Sequence, residues 1–485
     1  MIARQSILNF LSIALAFGLG AISTLYLYPT YPGKAFQGLV VALLAYSNLV
    51  QPFIAFGVQH ALIKFYTQCK TDQEKDKLLW FSILSPLLII GVFFILYQVY
   101  RQDIARYLSN ENESMGYYAY LIFSLSIATA YFEIFYSWQR VHLKTVFGNF
   151  LKEFYNRFLI FISLLLFAFG KIDKEAFLQF LIIGYYLRLL LMILYSFWIY
   201  IPKNPIGIPA QWKAILKYSA TIFLSGAAAS FILDIDKSML SNILTLDNVA
   251  FYSVAIFIAT VIEAPGRGMF QIVTPLVSEA INNQDKNRLE SLLKKSASNL
   301  LIISGFIAVV INVNLTDIYA LVNQPEYAIA FWAVGLISIG KLFSMSMGCL
   351  NSIISNSVLY SYVFWFSVLG AFLAVVLNLF LIEKYGLIGA AWATLIVMVL
   401  INSLKLILVA FYLKIHPFTT KMGITFTLIL GAYFSFLHLT ISEQPLLNLI
   451  LKTALLSILF SMVVLILGLS QELKKLFQST LRRFN

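Results

Sequence analysis

Apolar stretches of twenty or more residues follow one another along the chain, separated by short polar segments. A bilayer core is crossed by about 20 helical residues. By that measure the pattern predicts spans at 5–28, 36–63, 78–100, 116–139, 146–169, 175–200, 214–240, 248–275, 298–321, 327–350, 358–382, 386–412, 421–440 and 446–469. The seventh carries Asp234, Asp236 and Lys237, and the eighth is interrupted by Pro265, Gly266 and Gly268. The connecting loops are too short to fold as domains of their own. The expected class is therefore an all-α polytopic membrane protein with about 14 transmembrane helices, since lipid leaves backbone polar groups no partner outside a helix or a closed barrel.

Composition supports this picture. Hydrophobic residues make up 60% of the chain and charged residues 12%. Soluble domains carry roughly 25% charged residues, and half of that cannot coat a water-facing globule. The net charge of +12 would suit nucleic acid, but the basic residues alternate with the loops. One set of loops and ends holds Arg4, Lys70, Lys75, Lys77, Arg140, Lys144, Lys203, Lys213, Lys217, Lys286, Arg288, Lys294, Lys295, Lys414, Lys421, Lys474, Lys475, Arg482 and Arg483. The other set holds Lys34, Arg101, Arg106, Lys171, Lys174 and Lys384. The positive-inside rule places both termini in the cytoplasm. No cleavable signal peptide is evident. Cys69 and Cys349 indicate neither a disulfide nor a metal site. The four histidines are scattered, and no nucleophile triad or phosphate loop is present.

The layout repeats. Residues 35–82 begin "AFQGLVVALLAYSNLVQPF" and run into "TDQEKDKLLWFS"; residues 250–296 begin "AFYSVAIFIATVIEAPGRG" and run into "NQDKNRLESLLKKS". Each is an apolar span with a proline past its middle, Pro52 or Pro265, followed by a mixed-charge cytoplasmic loop. Two lobes of six spans are expected, 1–203 and 204–415, related as parallel repeats around a central cavity. Two further spans occupy 416–470, and a basic cytoplasmic tail follows at 471–485. Such lobes suit alternating access, with Pro52 and Pro265 as hinges; packing alone is the alternative reading of both prolines. Residues 276–299 space Leu289, Leu292 and Leu293 for an amphipathic helix on the membrane surface or a solvated linker helix.

Three segments carry a resemblance. "YGLIGAAWATLI" at 385–396, preceded by Asn378 in "VVLNLFLIEK", resembles a signature late in the second lobe of the multidrug/oligosaccharidyl-lipid/polysaccharide exporter superfamily. "LKYSATIFLSGAAASFILDIDKSMLSNILTLDNVAFYSVA" at 216–255 is similar to the start of that lobe in its polysaccharide branch, the Wzx-type flippases. "FGVQHALIKFY" at 56–66 resembles the end of the second span. The usual Asp-Arg pair reads Asp236-Lys237 here, which keeps the charge and loses the bidentate fork. The resemblance implies a bacterial inner-membrane flippase, not an enzyme. Its cargo would be a polyprenyl-diphosphate-linked oligosaccharide for O-antigen, capsule or exopolysaccharide assembly, moved from the cytoplasmic to the outer leaflet. Its expected partners are that lipid-linked oligosaccharide, membrane lipids and the polysaccharide polymerase machinery, with no nucleic acid. A peptidoglycan lipid-precursor flippase and a drug or cation exporter of the same superfamily remain open.

A diphosphate cannot enter hydrocarbon without replacement of its hydration. Cations inside apolar runs are expensive and mark pathways or sites. The candidates for the diphosphate are Arg188, Lys341, Arg157, Arg267 and Lys237. Arg188 and Lys341 lie mid-span with no acid nearby in sequence; Glu153 lies one turn before Arg157 and competes for it. Arg267 could instead snorkel to the interface. The intramembrane acids Glu133, Asp234, Asp236 and Glu263 are candidates for Na⁺ or H⁺ coupling, or for pairing with those cations. No catalytic residue, no resident cofactor and no metal site is expected. Asp234-Ile235-Asp236 matches the D-x-D site of glycosyltransferases but sits among apolar residues.

Overall fold

The computed structural model describes residues 15–203 and 206–470. Every regular element among the described residues is helical. The first span and the basic tail at 471–485 lie partly and wholly outside them.

The N-terminal helices follow the predicted spans and show where they break. Helix α1 is Lys34–Ala55. It ends because Phe56 and Gly57 take left-handed backbone, with φ of 46° and 71°. The Phe56 N–H donates to the Pro52 carbonyl at 2.8 Å. A side chain at Gly57 would start 2.5 Å from the Ser219 carbonyl oxygen, so close approach of another helix requires glycine there. Helix α2 is Val58–Tyr66. The predicted span 36–63 is thus two helices, with Pro52 buried just before the break.

Helix α3, Asp72–Leu108, has 37 residues. At 1.5 Å per residue it outreaches a hydrocarbon core of about 30 Å. Thr71 caps it by accepting from the Glu74 N–H. Asp76 is fully buried in its first turns. It accepts from the Tyr200 hydroxyl at 2.6 Å and the Lys203 N–H at 3.0 Å, which ties down the chain beyond the sixth predicted span. Beside it, the Tyr66 hydroxyl meets His142 Nε2 at 3.0 Å, and burial, then Asp72 and Asp76, push the Tyr66 phenol up to about 12.

Helix α4 is Ala119–Val141. Small residues let it approach α1 closely, and the Ser126 hydroxyl donates to the Ser47 carbonyl at 3.0 Å. A short helix, Val146–Phe150, leads through a π-helical turn, Leu151–Tyr155, into α5, Asn156–Ala168. Helix α6 is Lys174–Ile199, capped by Asp173. Helix α7, Trp212–Ile243, bends by 46° between Ala228 and Ser230. Asn112 closes its far end, donating to the Ser241 and Leu244 carbonyls at 2.7 and 2.9 Å and accepting from the Leu246 N–H.

Helix α8, Leu246–Thr260, passes through a 3₁₀ turn at Val261–Glu263 into α9, Ala264–Asn282. Pro265 sits in the first turn of α9, where its missing N–H costs nothing. Helix α10 is Lys286–Val313 and α11 is Leu315–Leu321. Neither a separate surface helix nor a solvated linker helix forms at 276–299. Those residues are the end of α9 and the start of α10, and Leu289 and Leu293 pack against Val277, Ala280 and Met347 in the core. The apolar stripe faces its own bundle, and Arg288 closes the hairpin with two 3.0 Å bonds to Glu279.

Helices α12, Phe331–Ser346, and α13, Leu350–Asn356, precede α14, Ser361–Tyr412. Gly386 interrupts α14 with φ 59° and ψ −138°, so the eleventh and twelfth predicted spans are its two arms. Helices α15, Thr420–Leu437, and α16, Pro445–Ile466, follow and pack on α10 and α11.

Among the described residues ten helices are long and apolar enough to cross a membrane, or eleven with the bent α7 taken as one. The shortfall against fourteen has local reasons. The π turn divides the fifth predicted span, Gly386 joins two spans into one helix, and the first span is only partly described.

The chain divides into two compact units, Met1–Ser253 and Val254–Asn485. In unit 1, α7 packs on α1. The Tyr46 hydroxyl donates to the Ser238 carbonyl at 2.9 Å and Asn48 donates to Asp234 at 3.1 Å. A Cβ on Gly38 would lie 1.9 Å from the Leu246 carbonyl oxygen.

Candidate functional site

The intramembrane charges separate into three groups by their surroundings. The first lies on α4, the π turn, α5 and α6 in unit 1. Glu133 on α4 accepts from Lys152 in the π turn at 2.8 Å. The Lys152 ammonium also lies 5.4 Å from the centre of the Tyr136 ring. Arg188 on α6 is 3% exposed. Its guanidinium lies over Phe132 at 4.1 Å and beside Tyr185 at 4.8 Å. Its Nε and Nη2 atoms have no hydrogen-bond partner among the described residues. Arg157 on α5 is half-buried and lies 4.7 Å from the Phe17 ring.

The second group lies on α7. Lys237 is bound to Asp234 at 2.5 Å, an i,i+3 pair, and donates to the Leu233 carbonyl at 3.1 Å. Asp236 is 5% exposed. It accepts from the Tyr252 hydroxyl at 2.6 Å and from the Lys237 backbone N–H at 2.8 Å. The two carboxylates of the D-x-D sequence therefore have separate partners, as side chains two apart on a helix do not share a face. Lys237 is neutralised beside Asp234.

The third group is in unit 2. Lys341 on α12 is buried and bound to Glu263 in the 3₁₀ turn at 2.8 Å. Arg267, one turn into α9, is exposed. Of the proposed hinges, Pro52 precedes the α1–α2 break and Pro265 follows the α8–α9 break. The structure thus brings Glu133 to Lys152, Asp234 to Lys237 and Glu263 to Lys341.

Replacing Lys341 with methionine is expected to cost about 3–5 kcal/mol, because the Glu263 carboxylate loses its partner. The double variant Lys341→Met, Glu263→Gln is expected to recover most of the loss. Thermal unfolding of the purified variants in detergent measures both.

One buried cation escaped the sequence reading. Lys452 on α16 is 4% exposed. Its ammonium donates to the Val313 carbonyl at 3.0 Å and lies 3.8 Å from Asp317, which also accepts from Asn448 at 2.8 Å. Its signal was available: a lysine in the middle of "LLNLILKTALLSILF". Asn112 gave none, because an asparagine in a loop does not reveal which helix end it will cap.

No family model matches the chain. An uncharacterized membrane protein of Methanocaldococcus jannaschii is 25% identical over 397 residues, covering 76% of each chain. The solved structure of a lipid II flippase, MurJ, in an inward closed conformation superposes with a TM-score of 0.71 at 19% identity, over 95% of this chain and 98% of that one. A multidrug-resistance MATE family transporter of the MOP superfamily, inward-facing, superposes with a TM-score of 0.60 at 14% identity, over 84% of this chain and 98% of that one. Both are membrane transporters, not enzymes. This multi-pass membrane chain has the fold of the transporters and flippases of the MOP superfamily.

Proposed function

We propose that this protein is a flippase that carries a polyprenyl-diphosphate-linked oligosaccharide from the cytoplasmic to the outer leaflet by alternating access, for surface polysaccharide assembly. Its setting is a bacterial inner membrane, with fourteen spans in two six-helix lobes, two further helices, and both termini in the cytoplasm. The observation that carries the flippase part of this reading is the superposition on a lipid II flippase over 95% of the chain, and the polysaccharide cargo rests on the resemblance of the segments at 56–66, 216–255 and 385–396. Arrangement of the intramembrane cations supports it. Lys237 and Lys341 pair with acids and Arg188 is enclosed, whereas Arg157 is half-buried and Arg267 exposed, so these two guanidinium groups present surface that a cargo can reach. Arginine suits a diphosphate through its planar fork. Breaks beside Pro52 and Pro265 provide the bending points. Glu133, Asp234, Asp236 and Glu263 remain the acids through which Na⁺ or H⁺ would couple.

A second reading, a peptidoglycan lipid-precursor flippase, is favoured by the same superposition, which exceeds that on the drug transporter. The test is a proteoliposome assay with fluorescent lipid-diphosphate saccharides, one a polysaccharide repeat unit and one a peptidoglycan precursor. Protein-dependent flipping of the repeat unit is expected. Arg157→Ala and Arg267→Ala are each expected to slow it about tenfold or more, the worth of a charge-assisted hydrogen bond. Selective flipping of the precursor would transfer the assignment to the second reading. Extrusion of cationic dyes with neither lipid moved would make it a drug exporter.

A further inference from the structure

Arg188 is enclosed in unit 1 and its charge is met incompletely. Ring faces at Phe132 and Tyr185 attract the plane of the guanidinium, but they do not accept from the N–H groups at its edge. Nε and Nη2, the two atoms without partners, are adjacent on that fork. Their N–H bonds run parallel, the arrangement that takes both oxygens of one carboxylate. Exposure of 3% leaves no approach for a saccharide diphosphate.

One acid lies in the neighbourhood of this guanidinium. Glu133 follows Phe132 on α4 and acts on Arg188 electrostatically. It is bound instead to Lys152, whose side chain is 41% exposed and has other surroundings available. Lys152 sits in the π turn Leu151–Tyr155. A π turn holds one residue more than an α turn and is frequent at functional positions. Moving to α register would turn Lys152 by about 100° around the helix axis, one residue's rotation. Tyr155, in the same turn, donates to the Gly184 carbonyl at 3.1 Å, immediately before the Tyr185 ring that covers Arg188.

We propose that the Nε–Nη2 edge of Arg188 is a receptor for a carboxylate, and that Glu133 supplies it when the π turn releases Lys152. Glu133 then alternates between two cations, and unit 1 has two arrangements of one ion pair. This inference does not rest on the identity of the cargo.

Double-mutant cycles in thermal unfolding of the full-length protein test it. In a Lys152→Met background, Glu133→Gln is expected to lower Tm by roughly 2–4 °C, a coupling of ordinary size for a chain this long, when Arg188 is present. The loss should vanish in Arg188→Met. A second arm adds sodium formate to the Glu133→Gln protein. A rise in Tm that requires Arg188 shows the same edge taking a free carboxylate. Equal losses with and without Arg188, together with no formate effect, would overturn the proposal. Since each comparison is between folded variants differing at one position, failure of flipping has no bearing on the outcome.

Discussion

Alanine at Gly389 is expected to yield little or no folded protein. A Cβ there would lie 1.9 Å from the Leu381 carbonyl oxygen and 2.3 Å from its carbon, both backbone atoms on the other arm of α14. Flexible side chains can move aside, but a helix backbone at this junction cannot. Gly386, three residues earlier, has φ 59° and ψ −138°, a conformation essentially reserved for glycine, so alanine there costs about 1–3 kcal/mol of strain. The clash at Gly389 forces the two arms apart and exceeds that figure, against a total stability of about 5–15 kcal/mol. Gly91 is the control: nothing lies within 4 Å of its Cβ position. Gly91→Ala should be neutral or slightly stabilising, because alanine is the better helix former by about 1 kcal/mol. Size-exclusion profiles of the three detergent-solubilised variants measure the difference. A monodisperse Gly389→Ala protein at normal yield would show that the arms separate more easily than their geometry indicates.

Methionine in place of Arg188 is expected to raise Tm while reducing transport at least tenfold. A buried charge without a matching acid destabilises its surroundings, and apolar replacements of buried ionic groups gain about 1–4 kcal/mol. The Phe132 and Tyr185 rings would pack equally well on a thioether. Glu133 would keep Lys152, 2.8 Å away, so the substitution strands no second charge. A residue that lowers stability in this way is retained for what it does in another arrangement of the bundle. A fall in Tm of several degrees would mean that Arg188 already holds a compensating anion in the resting protein.

Much of the fold is legible in the chain. Predicted spans from 36–63 onward fall on helical segments, some of them divided or merged, because each apolar stretch must satisfy its own backbone in lipid. The break at Pro265 was also legible, since proline and two glycines stand together there. The break at Phe56–Gly57 was less so: Pro52 announces it, but the left-handed pair follows from the approach of Ser219 on α7. The stripe of Leu289, Leu292 and Leu293 shows the reverse case. Its spacing is equally suited to a membrane surface and to a bundle core, and only the presence of Val277 and Met347 opposite decides between them.

What the sequence by itself determined is the solvent of this protein and the cost of its charges. Long apolar runs with short basic loops require a helical bundle in lipid, and ionisable groups inside those runs require partners. Which partner each one finds was decided by tertiary structure alone. Glu133 lies far from both Lys152 and Arg188 in sequence, and Glu263 lies far from Lys341. Pairing between separate helices depends on their rotation and depth, set by packing of small residues such as Gly38, Ser47 and Ser126. Those contacts are non-local, and no periodicity in one helix encodes the register of the next.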